Sequence, residues 1–269
     1  MNIENKRLFL LDMDGTIYLG NRLFDWTLPF LEFIDKIGGE YIFFTNNSSK
    51  SKSQYLDKLA KMGIAADDSQ LVTSTCAAIA YLGEHHGGQR IFPLGTAAFA
   101  AELAASGIEI GGECADVLVL AYDTELTYQK IEIACKILRG GAAFIATNPD
   151  MVCPGEDGDL PDCGCIAQML ECATGRRPVY TGKPAPIMPR LALARSKFAP
   201  TETLLIGDRL YTDIACGNAA NIDTALVLTG EATLEAAKTS PHQPTFIFNN
   251  LLDIQREMWN NGKDGIVKI

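Results

Sequence analysis

The chain has 269 residues, and 23 lysines and arginines stand against 33 aspartates and glutamates, so its formal net charge at pH 7 is −10. Because nucleic acid backbones are bound by clustered positive charge, this acidic chain without a lysine or arginine block argues against a nucleic acid polymer as partner. The longest stretch free of charged residues, 69–83, is shorter and more polar than the roughly 20 apolar residues of a membrane-spanning helix. We therefore expect no membrane segment.

The amino-terminal residues place only the short apolar run 8–11 before Asp12. Since a secretory signal needs a longer apolar core and a cleavage site of small residues, we expect a cytoplasmic protein with reduced cysteines. The spacing of the cysteines between 153 and 172 contains no C-x2-C pair, which disfavours a zinc site. The sequence does not determine the oligomeric state and is compatible with a homodimer.

Four short apolar runs, beginning near residues 8, 41, 203 and 224, each end abruptly in polar residues or glycine. Uninterrupted apolar runs are typical of strands buried on both faces, so they predict an α/β fold with a Rossmann-like parallel sheet. Asp12, Thr45 and Asp208 follow three of these runs. Because open α/β sheets bind ligands at the carboxyl ends of their strands, we expect these three side chains at one edge of the sheet.

The middle of the chain has its own α/β pattern. Strands are predicted at 90–95, 116–122 and 142–147, and apolar residues at helical spacing predict a helix over 127–139. The segment 148–164 is rich in proline, glycine and aspartate, which predicts a long binding or lid loop. We expect a smaller α/β cap domain at 81–180, inserted into a discontinuous core of 1–80 plus 181–269.

The residues best suited to catalysis are Asp12 and Asp14, which lie at a predicted strand end and are followed by Gly15. Alone, this pattern is equally typical of a turn. Further polar motifs follow other predicted strands: Thr45 with Asn46, Lys183 in TGKP, and Asp208 with Asp213 in GDRLYTD. A lysine before proline is usually a surface residue, and Asp213 could simply cap a helix. Chance explains the complete ordered set poorly.

In this order, DMDGT at 12–16, the strand ending at Thr45, Lys183 and GDxxxxD at 207–213, with its aspartates at 208 and 213, resemble the haloacid-dehalogenase-like (HAD) superfamily of aspartate-nucleophile phosphatases. FFTNNSSKS at 43–51, ATNPD at 146–150 and TGKPAP at 181–186 are similar to its branch with NagD and the nucleotide, 4-nitrophenyl, phosphoglycolate and pyridoxal phosphate phosphatases. The resemblance implies a HAD-like core with an inserted cap. It also implies Mg²⁺-dependent hydrolysis of small phosphomonoesters, such as nucleoside monophosphates or sugar phosphates, with 4-nitrophenyl phosphate as an artificial substrate.

The resemblance also implies roles for the acidic residues. Asp12 would be the nucleophile that forms an aspartyl phosphate, and Asp14 the general acid and then the base that activates water. Mg²⁺ would bind the Asp12 side chain, the backbone carbonyl of Asp14 and the Asp208 side chain, since it prefers oxygen ligands. Asp213 would orient these ligands or hold Lys183.

The remaining predicted residues would bind the substrate. The Thr45 hydroxyl, the Asn46 N–H, the N–H groups of the turn up to Gly15 and the Lys183 ammonium would hold the phosphate oxygens. In the cap, Asn148, Asp150 and Cys153 are candidates for the leaving-group pocket. Because cysteine forms only weak hydrogen bonds and some related phosphatases have a histidine near there, position 153 disfavours pyridoxal phosphate.

Two other functions are compatible with parts of the pattern. A phospho-acceptor regulatory protein also combines an acidic Mg²⁺ site with Thr and Lys, but its acyl phosphate must last, whereas Asp14 serves turnover. A haloacid dehalogenase also uses an aspartate nucleophile, but it needs no Mg²⁺, so Asp14 and Asp208 both count against it.

Overall fold

The apolar runs of the sequence form the central strands of a parallel sheet in the computed structural model, which describes residues 2–155 and 158–261. The strands in chain order are β1 Leu8–Asp12, β2 Tyr18–Leu19, β3 Arg22–Leu23, β4 Glu40–Thr45, β5 Leu71–Thr73, β6 Ile91–Leu94, β7 Val117–Leu120, β8 Ala143–Ala146, β9 Val152–Gly155, β10 Gly158–Pro161, β11 Val179–Tyr180, β12 Thr203–Gly207, β13 Asp223–Val227 and β14 Phe246–Phe248.

Helices connect most of these strands. They are α1 Thr27–Lys36, α2 Lys52–Lys61, α3 Ser74–His85, α4 Ala97–Ala105, α5 Tyr128–Arg139, α6 Cys163–Thr174, α7 Ile187–Leu193, α8 Ala215–Ala220, α9 Leu234–Thr239 and α10 Leu251–Asn261. A π-helical turn, Leu210–Ile214, precedes α8. Over the described ranges, none of the helices combines the length and the apolar character needed to cross a membrane.

The larger sheet has six strands in the order β14-β13-β12-β1-β4-β5. In the parallel register, Leu11 of β1 pairs with Ile206 of β12, and Asp12 pairs with Phe44 of β4. All five residues of β1 and all five of β12 are buried, as expected for strands covered on both faces. The predicted α/β fold with a parallel sheet is therefore confirmed.

The smaller sheet has four parallel strands in the order β11-β8-β7-β6. Successive side chains of a strand point to opposite faces, so β7 contributes to two cores. Val117 and Val119 belong to a cluster with Phe99 of α4, whereas Leu118 and Leu120 belong to a cluster with residues of α5 and α6. Helices thus cover both faces of this sheet.

The strands predicted at 90–95, 116–122 and 142–147 correspond to β6, β7 and β8. The helix predicted over 127–139 is α5, and Thr127 is its N-cap, since the Thr127 hydroxyl accepts a 3.3 Å hydrogen bond from the Lys130 N–H. These predictions are confirmed because local capping and packing agree with the apolar pattern.

The prediction that residues 148–164 form a long loop is wrong. The segment contains the antiparallel pair β9 and β10, in which Cys153 pairs with Leu160, and α6 begins at Cys163. The Asp162 N–H donates a 2.9 Å hydrogen bond to the Met151 carbonyl and closes the base of the hairpin. Proline and glycine are tolerated in short edge strands, which is why their abundance misled the sequence argument. The hairpin tip at 156–157 lies outside the described residues.

The chain divides into two compact units. Unit 1 comprises Met1–Phe44, Ala60–Leu71 and Pro189–Ile269, and unit 2 comprises Thr45–Leu59 and Val72–Met188. Unit 1 contains most of the six-stranded sheet, and unit 2 contains the four-stranded sheet together with Thr45 of β4 and the last two residues of β5. The assignment of a cap to 81–180 and of a core to 1–80 plus 181–269 stays a prediction.

Candidate active site

Three buried carboxylates of unit 1 form one cluster. Asp12, Asp208 and Asp213 each offer an oxygen atom, and these atoms lie within 4.8 Å of one another. Asp12 ends β1 and Asp208 directly follows β12. Because the paired strands β1 and β12 run in parallel and in register, their carboxyl ends bring together two residues far apart in sequence. The predicted meeting of Asp12 and Asp208 at one sheet edge is thus found.

Asp213 reaches the cluster from the π-helical turn that follows β12. Its carboxylate accepts a 3.1 Å hydrogen bond from the Arg209 N–H, and its side chain is fully buried. This hydrogen bond goes to a residue that precedes Asp213, whereas α8 begins two residues after it at Ala215. The contact is therefore not an N-cap of α8. Single π-helical turns occur often at functional sites.

Glycines leave the space that Asp208 occupies. A Cβ atom on Gly15 would lie 2.5 Å from Oδ2 of Asp208, and one on Gly230 would lie 1.9 Å from the same atom. The Glu231 N–H donates a 2.8 Å hydrogen bond to this Oδ2. Two chain segments therefore approach the carboxylate too closely for any side chain and hold it in one orientation.

The turn after Asp12 is held by its own backbone. The Met13 carbonyl accepts N–H groups of the next turn, and the Gly15 N–H donates a 2.8 Å hydrogen bond to the Tyr18 carbonyl. Gly15 has a φ of +84°, a conformation that L side chains rarely adopt. The Gly15 N–H already has an acceptor, the Tyr18 carbonyl. The role of Gly15 in the structure is to leave space for the Asp208 carboxylate. Its contact with a phosphate stays a prediction.

The acidic cluster fits a divalent cation. Three carboxylates buried so close together repel one another, and a cation with oxygen ligands relieves that repulsion. Asp14, whose carbonyl is predicted as a further ligand, is half-buried and forms a β-bridge with Tyr18 in the same turn. The donor set of carboxylates and a carbonyl suits a hard ion such as Mg²⁺ better than a soft one.

In unit 2, the side chain of Asn46 binds the backbone of Lys183 at two points. The Lys183 N–H donates a 2.8 Å hydrogen bond to Oδ1 of Asn46, and Nδ2 of Asn46 donates a 3.0 Å hydrogen bond to the Lys183 carbonyl. Both residues are buried. Thr45, the last residue of β4, accepts the Asn47 N–H at its hydroxyl at 3.2 Å.

Asn148 and Asp150, two of the residues predicted to contact the leaving group, form hydrogen bonds with Asn46. Nδ2 of Asn148 donates a 2.8 Å hydrogen bond to the Asn46 carbonyl, and Asp150 accepts a 2.7 Å hydrogen bond from Nδ2 of Asn46. Both side chains are buried. Cys153 is half-buried, and its sulfur accepts a 3.7 Å hydrogen bond from Nδ2 of Asn47. Contacts of these three residues with a leaving group stay predictions.

The polar residues Asn47, Ser48 and Ser49 precede α2 but do not supply its N-cap. Ser51 caps α2 instead, since its hydroxyl accepts a 3.3 Å hydrogen bond from the Gln54 N–H. Ser48 binds residues that follow two strands of the smaller sheet. Its hydroxyl accepts a 2.9 Å hydrogen bond from the Tyr122 N–H, after β7, and is hydrogen-bonded to the Thr147 hydroxyl, after β8, at 2.8 Å. Sequence reasoning missed this role.

Gly230 was also missed, although a signal was present. The fourth apolar run, from Thr224, ends in Thr229 and Gly230, as the other runs end in polar residues or glycine. The same rule that selected Asp208 places this pair at the carboxyl end of β13, next to β12 in the sheet. The Thr229 hydroxyl donates a hydrogen bond to the Gly15 carbonyl, which joins this strand end to the turn after Asp12.

Comparisons with known proteins agree with this geometry. Residues 9–109 match a family described as haloacid dehalogenase-like hydrolase, and residues 180–254 match one described as HAD-hydrolase-like. An acid sugar phosphatase of Staphylococcus saprophyticus is 34% identical over 257 residues, which cover 95% of this chain and 99% of that protein.

Solved structures show the same relationship. The crystal structure of a 4-nitrophenylphosphatase from Thermotoga maritima has a TM-score of 0.90 and 38% identity, covering 94% of this chain and 98% of that one. A structure described as a NagD protein has a TM-score of 0.88 and 36% identity, with coverage of 94% and 98%. With its buried aspartate cluster at the carboxyl ends of a parallel sheet, the chain belongs to the haloacid dehalogenase-like hydrolase family, among its NagD-like phosphatases.

Proposed function

We propose that the protein is a Mg²⁺-dependent phosphatase that hydrolyses small phosphomonoesters, sugar phosphates above all, through an aspartyl phosphate on Asp12. The observation that carries the proposal is the buried cluster of Asp12, Asp208 and Asp213 at the edge of the larger sheet. The acid sugar phosphatase and the 4-nitrophenylphosphatase among the related proteins support a small phosphomonoester as substrate.

In the proposed first step, a carboxylate oxygen of Asp12 attacks the phosphorus atom and the bond to the leaving oxygen breaks. Asp14 gives its proton to that oxygen, so the product leaves as an alcohol. In the second step, Asp14 takes a proton from water, the water oxygen attacks the phosphorus of the aspartyl phosphate, and Asp12 is released with inorganic phosphate. Division into two displacements lowers the barrier of a reaction that is very slow in water.

Positive charge is needed because a carboxylate and a phosphate dianion repel each other. Asp12, the Asp14 carbonyl and Asp208 are the proposed ligands of Mg²⁺, and Asp213 holds this arrangement together. Bound Mg²⁺ would supply neutralisation of the phosphate charge. Lys183 contributes its ammonium, and the Thr45 hydroxyl and the Asn46 N–H bind the remaining phosphate oxygens.

The leaving group is proposed to contact residues of unit 2, with Asn148, Asp150 and Cys153 as the predicted candidates.

A cytoplasmic location belongs to the proposal as well, and cell fractionation tests it. Size-exclusion chromatography with light scattering shows whether the active form is a homodimer.

The experiment is phosphate release from sugar phosphates, nucleoside monophosphates, phosphoglycolate, pyridoxal phosphate and 4-nitrophenyl phosphate, with Mg²⁺ or EDTA. We expect Mg²⁺-dependent release that Asp12→Asn lowers by at least about a thousandfold and Asp14→Asn by roughly a hundredfold or more. Wild-type turnover by Asp12→Asn would falsify the nucleophile assignment.

Two further assays of the purified protein distinguish the proposed phosphatase from a phospho-acceptor protein and from a dehalogenase. A phosphoenzyme that persists without releasing phosphate favours the phospho-acceptor protein. Metal-independent chloride release from a chloroalkanoate favours the dehalogenase.

A further inference from the structure

Asn46, Asn148 and Asp150 close a ring of hydrogen bonds within unit 2, which we call the amide ring. Asn46 donates from Nδ2 to Oδ2 of Asp150 at 2.7 Å, the Asp150 N–H donates to Oδ1 of Asn148 at 3.0 Å, and Nδ2 of Asn148 donates to the Asn46 carbonyl at 2.8 Å. The exposed fractions of these residues are 9%, 0% and 2%. Water therefore has little access to compete for these bonds.

The amide ring leaves Asn46 one orientation. Its Nδ2 donates to two acceptors, the Asp150 carboxylate and the Lys183 carbonyl, while its Oδ1 accepts the Lys183 N–H. A flipped amide would place an oxygen against two acceptors and an NH2 group against a donor, which is costly in a buried site. The carboxylate of Asp150 thus selects the orientation in which Asn46 can bind both backbone groups of Lys183.

The approach of the Lys183 segment depends on this contact. A Cβ atom on the preceding residue, Gly182, would lie 2.7 Å from Oδ1 of Asn46 and 2.3 Å from the Thr147 carbonyl. Ser74 donates a 2.6 Å hydrogen bond from its hydroxyl to the Asn46 carbonyl, so Asn46 is held from a further side. The backbone from which the Lys183 side chain projects is therefore set by Asn46, and Asn46 by Asp150.

We propose that Asp150 is a positioning residue for Lys183 that acts through the side-chain amide of Asn46. The inference rests on the proposed function, in which the Lys183 ammonium binds the phosphate. It gives the Asn46 side chain a task that is separate from the proposed phosphate contact of its backbone N–H.

A double-mutant cycle with Mg²⁺ present tests the proposal, and the measured quantity is the Kd of inorganic phosphate from calorimetry. Asp150→Ala removes one of the two acceptors of Asn46 Nδ2, so we expect phosphate to bind roughly tenfold more weakly. Lys183→Met removes the proposed phosphate contact itself. In the Lys183→Met background, Asp150→Ala should change the Kd by less than about twofold, because a residue that acts through Lys183 has nothing left to act on.

Asp123→Ala is the matched control. Asp123 is another buried carboxylate of unit 2, but its partners are the Lys130 ammonium at 2.8 Å and the Glu125 N–H at 2.9 Å. We expect this variant to lower the melting temperature while the Kd of phosphate stays within about twofold of wild type. A general loss of structure would change both quantities in both variants.

Asp150→Leu, whose side chain has a similar shape and no hydrogen-bond acceptor, repeats the cycle if circular dichroism shows that Asp150→Ala does not fold. An unchanged Kd in the wild-type background overturns the inference, and so does a loss of equal size in the Lys183→Met background. Failure of the proposed function looks different, since the wild-type protein would then release no phosphate from any ester. An active wild type whose Asp150 variants bind phosphate normally refutes only the positioning role.

Discussion

Gly230 lies so close to Asp208 that a Cβ atom on the glycine would be 1.9 Å from Oδ2 of the aspartate. The next residue, Glu231, donates its N–H to that oxygen at 2.8 Å. The segment after β13 therefore defines the position of a carboxylate that follows β12. Backbone proximity, more than any side chain, holds this part of the acidic cluster in place.

Gly230→Ala should displace Asp208 and lower kcat by at least about tenfold, since one added methyl group cannot fit without movement of the carboxylate. Gly83→Ala is the control, because Gly83 lies in α3 with no atom within 4 Å of the added Cβ. The control should retain kcat and gain up to about 1 kcal/mol of stability from the higher helix propensity of alanine. Steady-state kinetics and thermal melts of both variants check this, and wild-type kcat in Gly230→Ala would contradict it.

Mg²⁺ should stabilise the protein, because it relieves repulsion among Asp12, Asp208 and Asp213. A ligand that binds only the folded state at a hundred times its Kd adds about 2.7 kcal/mol to the free energy of unfolding. We expect a rise in Tm on addition of Mg²⁺, reversal by EDTA, and a much smaller rise in Asp208→Asn. Differential scanning fluorimetry measures the shift, and equal shifts in wild type and Asp208→Asn would rule out this residue as a ligand.

The thiol of Cys163 should resist alkylation in the folded protein. It is fully buried, and burial raises its pKa to about 12, so almost no thiolate forms at neutral pH. Cys114 and Cys172 are exposed and should react first. Iodoacetamide labelling at about pH 8 followed by mass spectrometry orders the sites, with protein unfolded in guanidinium as the reference in which all thiols are accessible. Early labelling of Cys163 would show that α6 opens readily.

Unfolding should become easier above about pH 9. Burial raises the pKa of Cys163 from 9.0 and that of Tyr122 from 10.0, each to about 12. Above pH 9 the unfolded chain loses these protons more readily than the folded one, so the stability that both groups contribute below pH 9 disappears as the pH approaches 12. Urea unfolding at a series of pH values measures the slope. Cys163→Ala should show a shallower decline, and an identical decline would contradict the assignment.

Much of the fold follows from local patterns. Apolar runs such as residues 8–11 predict buried strands, and the spacing within 127–139 predicts α5, because hydrophobic burial acts on each segment through its own periodicity. The hairpin at β9 and β10 escaped prediction, since a short edge pair carries little periodic signal. The turn at Asp12 and the strand end at Asp208 could likewise be selected, because ligands bind at carboxyl ends of parallel strands.

The sequence by itself determined the sheet, the family resemblance and the identity of the acidic residues, which depend on patterns a few residues long. Only the tertiary structure decided which groups touch: Asn46 meets Asp150 across 104 positions and Lys183 across 137 positions of the chain. It also decided that Gly230 borders Asp208. Such contacts arise where separate strands and loops approach each other, and no local periodicity encodes that approach. For that reason the sequence indicated Lys183, whereas the residues that hold its backbone became visible only in the fold.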